Sequence, residues 1–385
     1  MPPNFPIAQR DKPLIDAALL RERCAATRPL WIGLEEELMV VDAVTLDLAP
    51  RAPQLLARMH GDPRFKLELP AAQMELATTP EPSVAAAADQ LALARADLAA
   101  AAAPGLRLAS AGAHPFAAAR GVLNSGERFD EMRNEYGEAA ERQLVCGLHV
   151  HVAVGDADAA VAVHDALRSY LPELAALAAN APFHEGADTR LASVRPRISS
   201  LLPRQGVPPA IGSLDAFADA LQWGARSGTV PSPRHWWWAL RLHPDFGTVE
   251  VRVPDAQATV AHSAAVAGVV QALVARLATR HARGETLPVA PTWRIEENRR
   301  TAARFGIAGE LADLDSGERE PTAQRLLRLL DEIGDDAHRL GCDGALDTAR
   351  SMIEDGGPAA AQRRVAAQGD LRDVVSWLAD RYGAA

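Results

Sequence analysis

Glutamate, histidine and arginine recur at two-residue spacing in several strand-like runs of this 385-residue chain. Residues two apart in a β-strand point to the same face of the sheet. The residues that share a face in this way are Glu35 with Glu37, Lys66 with Glu68, Gln73 with Glu75, His149 with His151, and Thr248 with Glu250 and Arg252. Apolar residues occupy the alternate positions, with Glu36 as the exception. The spacing predicts one polar sheet face rich in Glu, His and Arg.

The simplest explanation of any single strand is a solvated face, which antiparallel sheets commonly have. Taken together, however, four or five carboxylates on one face would repel one another without counter-charge. Divalent cations supply such charge, and Mg²⁺ in particular binds carboxylates together with substrate phosphate oxygens. The combined pattern therefore predicts a metal-dependent site that handles phosphate.

Histidine and arginine placement leaves two questions open. A His-x-His pair such as His149 and His151 is also a zinc arrangement, so a zinc-dependent hydrolase that uses both histidines and carboxylates is an alternative.

The segment 180–209 has no regular period, and we predict an ordered binding loop there. Its arginines could bind carboxylate or phosphate, or could be solvated surface charges. They are Arg190, Arg195, Arg197 and Arg204.

Several function classes find no support in the sequence. The net charge of −10 argues against a general nucleic-acid surface. We find no G-x-x-x-x-G-K-[ST] phosphate loop and no G-x-S-x-G elbow. The three cysteines are widely spaced, which predicts no disulfide framework. No signal-peptide pattern is visible in residues 1–12, and charged residues interrupt the alanine-rich stretch 84–103. We expect a cytoplasmic protein without membrane or nucleic-acid partners.

Strand runs that cluster around hairpins favour an α+β fold with a mainly antiparallel sheet. The predicted strands are residues 30–41, 46–49, 65–69, 73–78, 106–111, 144–154, 236–242 and 248–253. The predicted helices are residues 14–26, 84–103, 127–142, 156–179, 261–283 and 296–305, followed by a mostly helical remainder. Ser83 is the expected N-cap of the second helix. The run Trp236–Trp238 is predicted to pack in the interior.

Six short motifs follow one another in a distinctive order. They are Gly33-Leu34-Glu35-Glu36-Glu37, Gln73-Met74-Glu75-Leu76-Ala77-Thr78, Gly112-Ala113-His114-Pro115-Phe116, Cys146-Gly147-Leu148-His149-Val150-His151-Val152, Asn180-Ala181-Pro182-Phe183 with Glu185-Gly186, and Gly247-Thr248-Val249-Glu250-Val251-Arg252. From about residue 30 to about 310 the sequence resembles the glutamate–cysteine ligase type 2 family of bacterial carboxylate–amine ligases. We therefore expect one domain over residues 1–385, with a helical C-terminal elaboration from about 313.

The resemblance implies a fold like the catalytic domain of glutamine synthetase, in which a curved, mainly antiparallel sheet forms a funnel-shaped site with helices on the outer face. It implies ATP-dependent joining of the γ-carboxylate of glutamate to cysteine or another amine through an acyl phosphate. Mg²⁺ is the expected ion, with Mn²⁺ as an alternative. A non-catalytic relative that binds ATP or an amino acid stays open, as does a homodimer.

Residue roles follow from the same resemblance. The metal ligands it implies are Glu35, Glu37, Glu68, Glu75, His149 and Glu250. Arg252 and Arg195 are implied as catalytic, and Arg252 with His151 as contacts to ATP. The predicted substrate contacts are Arg190, Arg195, Arg197 and Arg241. His184, Arg190 and Val194 depart from residues common in the family, and since all three lie in the expected substrate loop, the acceptor amine is left open.

Overall fold

The computed structural model describes residues 15–230 and 232–383, which form a mixture of strands and helices. The strands are β1 (Ile32–Asp42), β2 (Phe65–Leu67), β3 (Gln73–Ala77), β4 (Leu106–Ala109), β5 (Leu148–Ala153), β6 (Phe183–His184), β7 (Ala187–Asp188), β8 (Leu240–His243), β9 (Thr248–Val251), β10 (Glu310–Ala312) and β11 (Arg319–Pro321). The helices are α1 (Ala17–Ala25), α2 (Ala52–Arg58), α3 (Val84–Ala102), α4 (Glu127–Tyr136), α5 (Glu138–Glu141), α6 (Ala157–Leu167), α7 (Leu171–Leu177), α8 (Arg195–Ser199), α9 (Leu214–Ser227), α10 (Val260–Ala282), α11 (Thr292–Phe305), α12 (Thr322–Glu332), α13 (Gly334–Arg339), α14 (Asp343–Glu354), α15 (Pro358–Ala366) and α16 (Leu371–Tyr382). Short 3₁₀ turns lie at Arg168–Tyr170, Pro233–His235 and Gly306–Ala308.

Seven of these strands form one open antiparallel sheet, in the order β2-β3-β1-β5-β9-β8, with β4 pairing to the far end of β1. Residues paired across antiparallel strands point to the same face. The register sets Glu37 opposite Glu75, Glu35 opposite His149, and His151 opposite Glu250. The predicted polar face is therefore one continuous surface that crosses four strands.

The opposite face of the sheet is apolar and carries the core. Leu34, Leu76, Val150 and Val251 are fully buried there and belong to the largest hydrophobic cluster. Helices α3, α6 and α10 pack against this side. The Ser83 hydroxyl caps α3 by accepting a hydrogen bond from the backbone N–H of Ala86, as predicted. The α+β class, the antiparallel sheet and the helices on its outer face are confirmed.

Glu36 lies among the leucines because a buried ion pair compensates it. Both of its carboxylate oxygens accept hydrogen bonds from Arg95 of α3, at 2.6 and 2.8 Å, and the Ser263 hydroxyl donates a third at 2.8 Å. Arg95 also donates to backbone carbonyls of three residues, namely Gln257, Ala258 and Tyr382. Each polar atom of this core group thus has a partner, which is the condition for burying charge.

Several predicted elements are shorter or interrupted in the structure, among them the helix 156–179, which is divided into α6, a 3₁₀ turn and α7. Only Leu48 of the expected strand 46–49 bridges to β1, since Leu46 has a left-handed backbone with φ 60°. Gly137, with φ 51°, divides the expected helix 127–142 into α4 and α5. The expected strand 236–242 begins only at Leu240, because residues 233–235 form a 3₁₀ turn.

The loop 180–209 contains more regular structure than its sequence indicates, namely the β6–β7 hairpin and the short helix α8. The predicted helix around residues 14–26 is α1, and Leu14 lies outside the described residues, as do residues 1–12.

Helix α10 is long and apolar enough to cross a membrane, but 78% of its most apolar window is buried inside the protein, as in a core helix. The cytoplasmic location stays a prediction.

The C-terminal helices share the main core. The largest hydrophobic cluster runs from Leu20 through Leu330 and Met352 to Tyr382. This continuity supports the proposal of a single domain with a helical C-terminal elaboration.

Candidate active site

A cavity of about 630 Å³ lies over the polar face of the sheet. Its floor includes Glu35, Glu37, Glu75, His149 and Arg252. These side chains come from four strands or strand ends, so the sheet register brings together residues that are far apart in sequence. Glu68 and Arg195 also line this cavity.

Two overlapping groups of side chains have the arrangement of a metal site. Glu35, Glu75 and His149 form one group, and Glu35, His151 and Glu250 form the other. In each group the potential ligand atoms lie within 4.8 Å of one another. The Nε2 atoms of both histidines are buried without a hydrogen-bond partner. Carboxylate oxygens suit Mg²⁺ or Mn²⁺, and each group has two carboxylates and a single imidazole, so these residues fit such an ion with one nitrogen ligand.

Glu35 is shared by the two groups and is held by both histidines. Its Oε2 atom lies 3.3 Å from Nδ1 of His149 and 3.6 Å from Nε2 of His151. Burial alone would raise the pKa of Glu35, but a hydrogen bond with His149 and the nearby imidazole of His151 hold it below its ordinary value. Thr248 contacts Nδ1 of His151 at 3.0 Å, which leaves Nε2 directed toward Glu35. Glu35 is therefore an ionised carboxylate ready for a cation.

Glu68 and Glu75 have raised pKa values, whereas the pKa of Glu35 is lowered. Burial raises the pKa of both carboxyl groups, and neighbouring carboxylates raise it further. Lys66 lies 2.8 Å from Glu75 and Arg128 faces Glu68, and both cations offset part of the rise. The acidic cluster thus has more negative charge than its own cations neutralise, which favours a bound divalent cation.

Glu250 is held by two arginines. Arg252 donates to its Oε1 at 2.6 Å, and Arg241 from the neighbouring strand β8 pairs with both oxygens. Burial would raise the pKa of Glu250, but these guanidinium groups hold it well below its ordinary value. Nη1 of Arg252 also lies 3.3 Å from Nδ1 of His149. Two positive charges therefore stand directly beside the candidate metal ligands.

Arg195 reaches the same region from helix α8. It donates to the carbonyls of Arg252 and Val253 at 3.2 Å each, and lies 3.9 Å from the buried Asp255. These bonds fix Arg195 against the chain that follows β9. Its guanidinium lines the cavity beside Arg252.

Gly147 is a residue that our sequence interpretation missed. A Cβ atom at this position would lie 2.2 Å from Nη2 of Arg195, so a larger residue would displace the guanidinium from its present position. The N–H of Gly147 also donates to Glu37 at 2.5 Å. Glycine inside a strand run often marks such a close approach, and this signal was available in the Cys146-Gly147-Leu148 motif.

Two of the predicted substrate contacts are not in the site. Arg190 and Arg197 are exposed and do not line the cavity. The loop folds back through the β6–β7 hairpin, where Arg190 has a left-handed backbone with φ 58°. His184 also lies outside the lining, and Val194 is buried in a small apolar cluster. The family departures in this loop therefore do not form the cavity wall.

The opposite wall contains residues that the sequence did not indicate. Arg128, Phe129 and Met132 project from α4, and Trp237 lines the cavity near Tyr136. In the tryptophan run, Trp236 packs against other side chains as predicted. Its ring lies edge-on to Phe217, with the ring centroids 5.8 Å apart. Phe129 and Met132 stand among charged residues of α4, so the sequence predicts a helix there but not a wall of the cavity.

Comparison with protein families gives one match that spans most of the chain. The model described as "Glutamate-cysteine ligase family 2(GCS2)" matches residues 31–376. This range extends beyond residue 310, where our motifs end, and includes most of the C-terminal helices.

Similar proteins have names of the same kind. "Putative glutamate--cysteine ligase 2-3" from Rubrobacter xylanophilus is 38% identical over 368 residues, which are 94% of this chain and 99% of that protein. "Putative glutamate--cysteine ligase 2" from Thermobifida fusca is 33% identical over 92% of this chain and 91% of its own length.

Two solved structures share the fold at low sequence identity. A glutamate–cysteine ligase from Francisella tularensis, solved in complex with AMP, has a TM-score of 0.70 at 15% identity, over 92% of this chain and 88% of that chain. A bifunctional glutathione synthetase from Pasteurella multocida has a TM-score of 0.64 at 13% identity, over 95% of this chain and 53% of that chain.

Proposed function

The chain belongs to the glutamate–cysteine ligase family 2, a family of ligases that form carbon–nitrogen bonds, and we propose that it joins the γ-carboxylate of glutamate to an amine at the expense of ATP. Cysteine or another amino compound is the acceptor. The reaction passes through an acyl phosphate and needs Mg²⁺ or Mn²⁺.

The observation that carries this proposal is the shared position of Glu35. It belongs to both potential ligand groups, and Arg252 and Arg241 lie directly beside the second group. Phosphoryl transfer requires cations around the phosphates and little else from the protein. This arrangement offers both metal ligands and guanidinium groups on one rigid sheet.

We assign Glu35, Glu75, His149 and Glu250 to the metal ions, with Glu37 and Glu68 as further carboxylates of the same cavity. His151 joins the second ligand group in this proposal, in place of the predicted contact with ATP. The ions would neutralise phosphate charge and orient the nucleotide. The unpartnered Nε2 atoms of His149 and His151 support this assignment.

The chemistry explains why arginines accompany the acids. The γ-phosphoryl group moves from ATP to the carboxylate oxygen, leaving ADP. The amine nitrogen then attacks the acyl carbon, the bond to phosphate breaks, and the nitrogen loses a proton as inorganic phosphate leaves. We propose that Arg252 and Arg195 stabilise the negative charge during transfer, and that Arg241 aids substrate binding. Cys146 is buried with a raised pKa, so a thiolate nucleophile has no support.

The zinc alternative loses support because the two histidines belong to different potential ligand groups. Among the described residues, no ligand group contains both His149 and His151. A His-x-His zinc centre would need both on one ion.

Release of ADP from ATP, with glutamate, a wide panel of amines and Mg²⁺, tests the proposal. We expect ADP only when glutamate and a suitable amine are both present, and none after the metal is chelated. Absence of amine-dependent ADP across the panel would contradict the ligase function. Nucleotide binding without turnover would instead favour the non-catalytic relative.

A further inference from the structure

Helix α4 forms part of the cavity wall without being part of the core. Arg128, Phe129 and Met132 face the cavity, yet the helix has no buried residue. Residues spaced three and four apart lie on one helix face, so Phe129 and Met132 present an apolar strip toward the cavity. An apolar strip that covers nothing in the core is suited to covering a ligand.

Glycines with left-handed backbones bracket this helix. Gly126 has φ 126° and Gly137 has φ 51°, conformations that residues with a Cβ rarely adopt. At Gly137 a Cβ would meet no atom within 4 Å, so the backbone conformation and not packing requires glycine there. Such positions absorb the dihedral changes of a hinged segment.

Few side-chain hydrogen bonds attach the helix to the rest of the described chain. Arg133, in the second half of the helix, donates to the carbonyl of Asn124, which precedes the helix, at 3.2 Å. The Asn124 side chain in turn donates to the carbonyl of Glu68 at 2.6 Å. At the other end, Tyr136 lies edge-on to Trp237 at 5.8 Å. Both attachments lead to the rim of the cavity.

Arg128 differs from the three arginines that lie beside Glu250 and Asp255. Arg195, Arg241 and Arg252 are engaged by carbonyls or carboxylates. Within the described residues, the guanidinium of Arg128 has no hydrogen bond or ion pair, and it is exposed at the cavity. A guanidinium group at this position is free to bind an anionic ligand.

We propose that α4 is a lid that closes on the nucleotide and that Arg128 contacts its phosphate oxygens in the closed state. Phe129 and Met132 then exclude water from the transfer site, where electrostatic interactions strengthen as a result. The inference rests on the proposed function, because the anion is the polyphosphate of ATP. It adds to that function a substrate-binding residue and a moving element.

Binding and hydrogen exchange test this inference without relying on turnover. The ligand is the Mg²⁺ complex of the non-hydrolysable ATP analogue adenylyl imidodiphosphate. We compare the wild type with Arg128→Gln, and use Arg283→Gln as a control that removes the same charge from an exposed residue outside the cavity lining. Calorimetry should show about tenfold weaker binding for Arg128→Gln, as expected for one charged hydrogen bond.

Hydrogen exchange should show slower exchange of residues 127–136 in the wild type when the analogue binds. The control should keep both the affinity, within about threefold, and the protection. Equal affinity of Arg128→Gln, or unchanged exchange of 127–136, would overturn the lid while leaving the ligase proposal intact. An equal loss of affinity in Arg283→Gln would assign the effect to the change in net charge and overturn the role of Arg128. Failure of the wild type to bind the analogue would contradict the proposed function together with the lid.

Discussion

At the scale of single residues, Glu35 is the residue on which the proposed metal site depends most. It pairs with both histidines and belongs to both potential ligand groups, whereas Glu75 and Glu250 belong to one each. Its type and spacing predicted a cation site from sequence. Its shared position could not be predicted, because that depends on the register between β1, β3 and β5.

The substitution Glu35→Gln should remove metal binding while leaving the fold intact. Glutamine is similar in size but has no negative charge, so both ligand groups lose their shared carboxylate. We expect Mn²⁺ affinity to fall by about 100-fold or more, since even indirect partners of metal ligands contribute 10- to 100-fold. Electron paramagnetic resonance of free Mn²⁺ measures this. Glu318→Gln, at an exposed acid, is the matched control. Equal Mn²⁺ binding by both variants would remove Glu35 from the site.

Gly147 and Arg195 should behave as a coupled pair. In Gly147→Ala the added methyl group would lie 2.2 Å from Nη2 of Arg195, which is anchored on two carbonyls. We expect a loss of about 1–3 kcal/mol in the free energy of unfolding from this crowding. In the background Arg195→Ala the same change should cost much less. Urea unfolding of the four proteins gives the coupling energy, and additive effects would contradict the close approach.

At the scale of elements, β1 connects the site to the core. Alternate residues face the cavity, and Glu36 between them faces Arg95 of α3. The sequence marked Glu36 as an exception to the pattern. Its partner could not be identified, since Arg95 is 59 residues away and lies in an alanine-rich helix.

Replacing Arg95 by methionine should destabilise the protein strongly. The change leaves Glu36 buried without a counter-charge, which typically costs about 3–5 kcal/mol. The double variant Arg95→Met with Glu36→Met should recover a large part of this loss, because neither charge is then left alone. Denaturant midpoints compare the two. A single variant as stable as the wild type would show that Glu36 does not depend on Arg95.

His114 should make the folded protein sensitive to mild acid. Its Nε2–H donates to the carbonyl of Leu46 and its Nδ1 accepts from the N–H of Ala117, each at 2.9 Å, so the ring is neutral. Burial lowers the pKa of His114 to about 4, from an ordinary value of 6.5. The unfolded chain therefore takes up this proton first, and stability is lost as the pH falls from 6.5 toward 4.

The difference corresponds to a contribution on the order of 3 kcal/mol that is complete above pH 6.5. Unfolding free energies of the wild type and His114→Gln between pH 4 and 7 test this. We expect a steeper fall in the wild type, although the variant is less stable at neutral pH. Parallel curves would contradict a neutral buried His114.

Periodicity predicted the long elements well. The helices beginning near Ser83 and near Val260 and the strands β1 and β3 agree with the structure, because their apolar repeats extend over several turns or pairs. Short elements were less predictable. The break at Gly137 and the late start of β8 depend on single backbone conformations, which tertiary contacts decide.

At the scale of the whole molecule, the C-terminal helices make hydrogen bonds with residues that lie behind the site. Gln362 of α15 donates to the Asn180 side chain at 2.7 Å, and Asn180 in turn donates to Asp255 at 2.7 Å, beside Arg195. The carbonyl of Tyr382 accepts from Arg95. The sequence predicts only helices in this region, because its contribution consists of backbone and amide contacts without catalytic side chains.

The acidic excess of the chain now has a partial structural explanation. The sequence identified which carboxylates share the sheet face, and the structure places four of them, Glu35, Glu37, Glu68 and Glu75, in the lining of one cavity that several arginines also line. What the sequence could not identify is the opposite wall, where α4 and Trp237 approach from distant parts of the chain. These positions depend on loop paths rather than on periodicity.

Transfer of oxygen from the carboxylate to phosphate tests the central claim most directly. Glutamate labelled with ¹⁸O in its γ-carboxylate is incubated with ATP, Mg²⁺, the accepted amine and the enzyme. Mass spectrometry then measures the label in the inorganic phosphate that is released. An acyl phosphate requires one ¹⁸O atom in each phosphate formed by ligation, and we expect this result. Unlabelled phosphate released together with the amide product would contradict the proposed route.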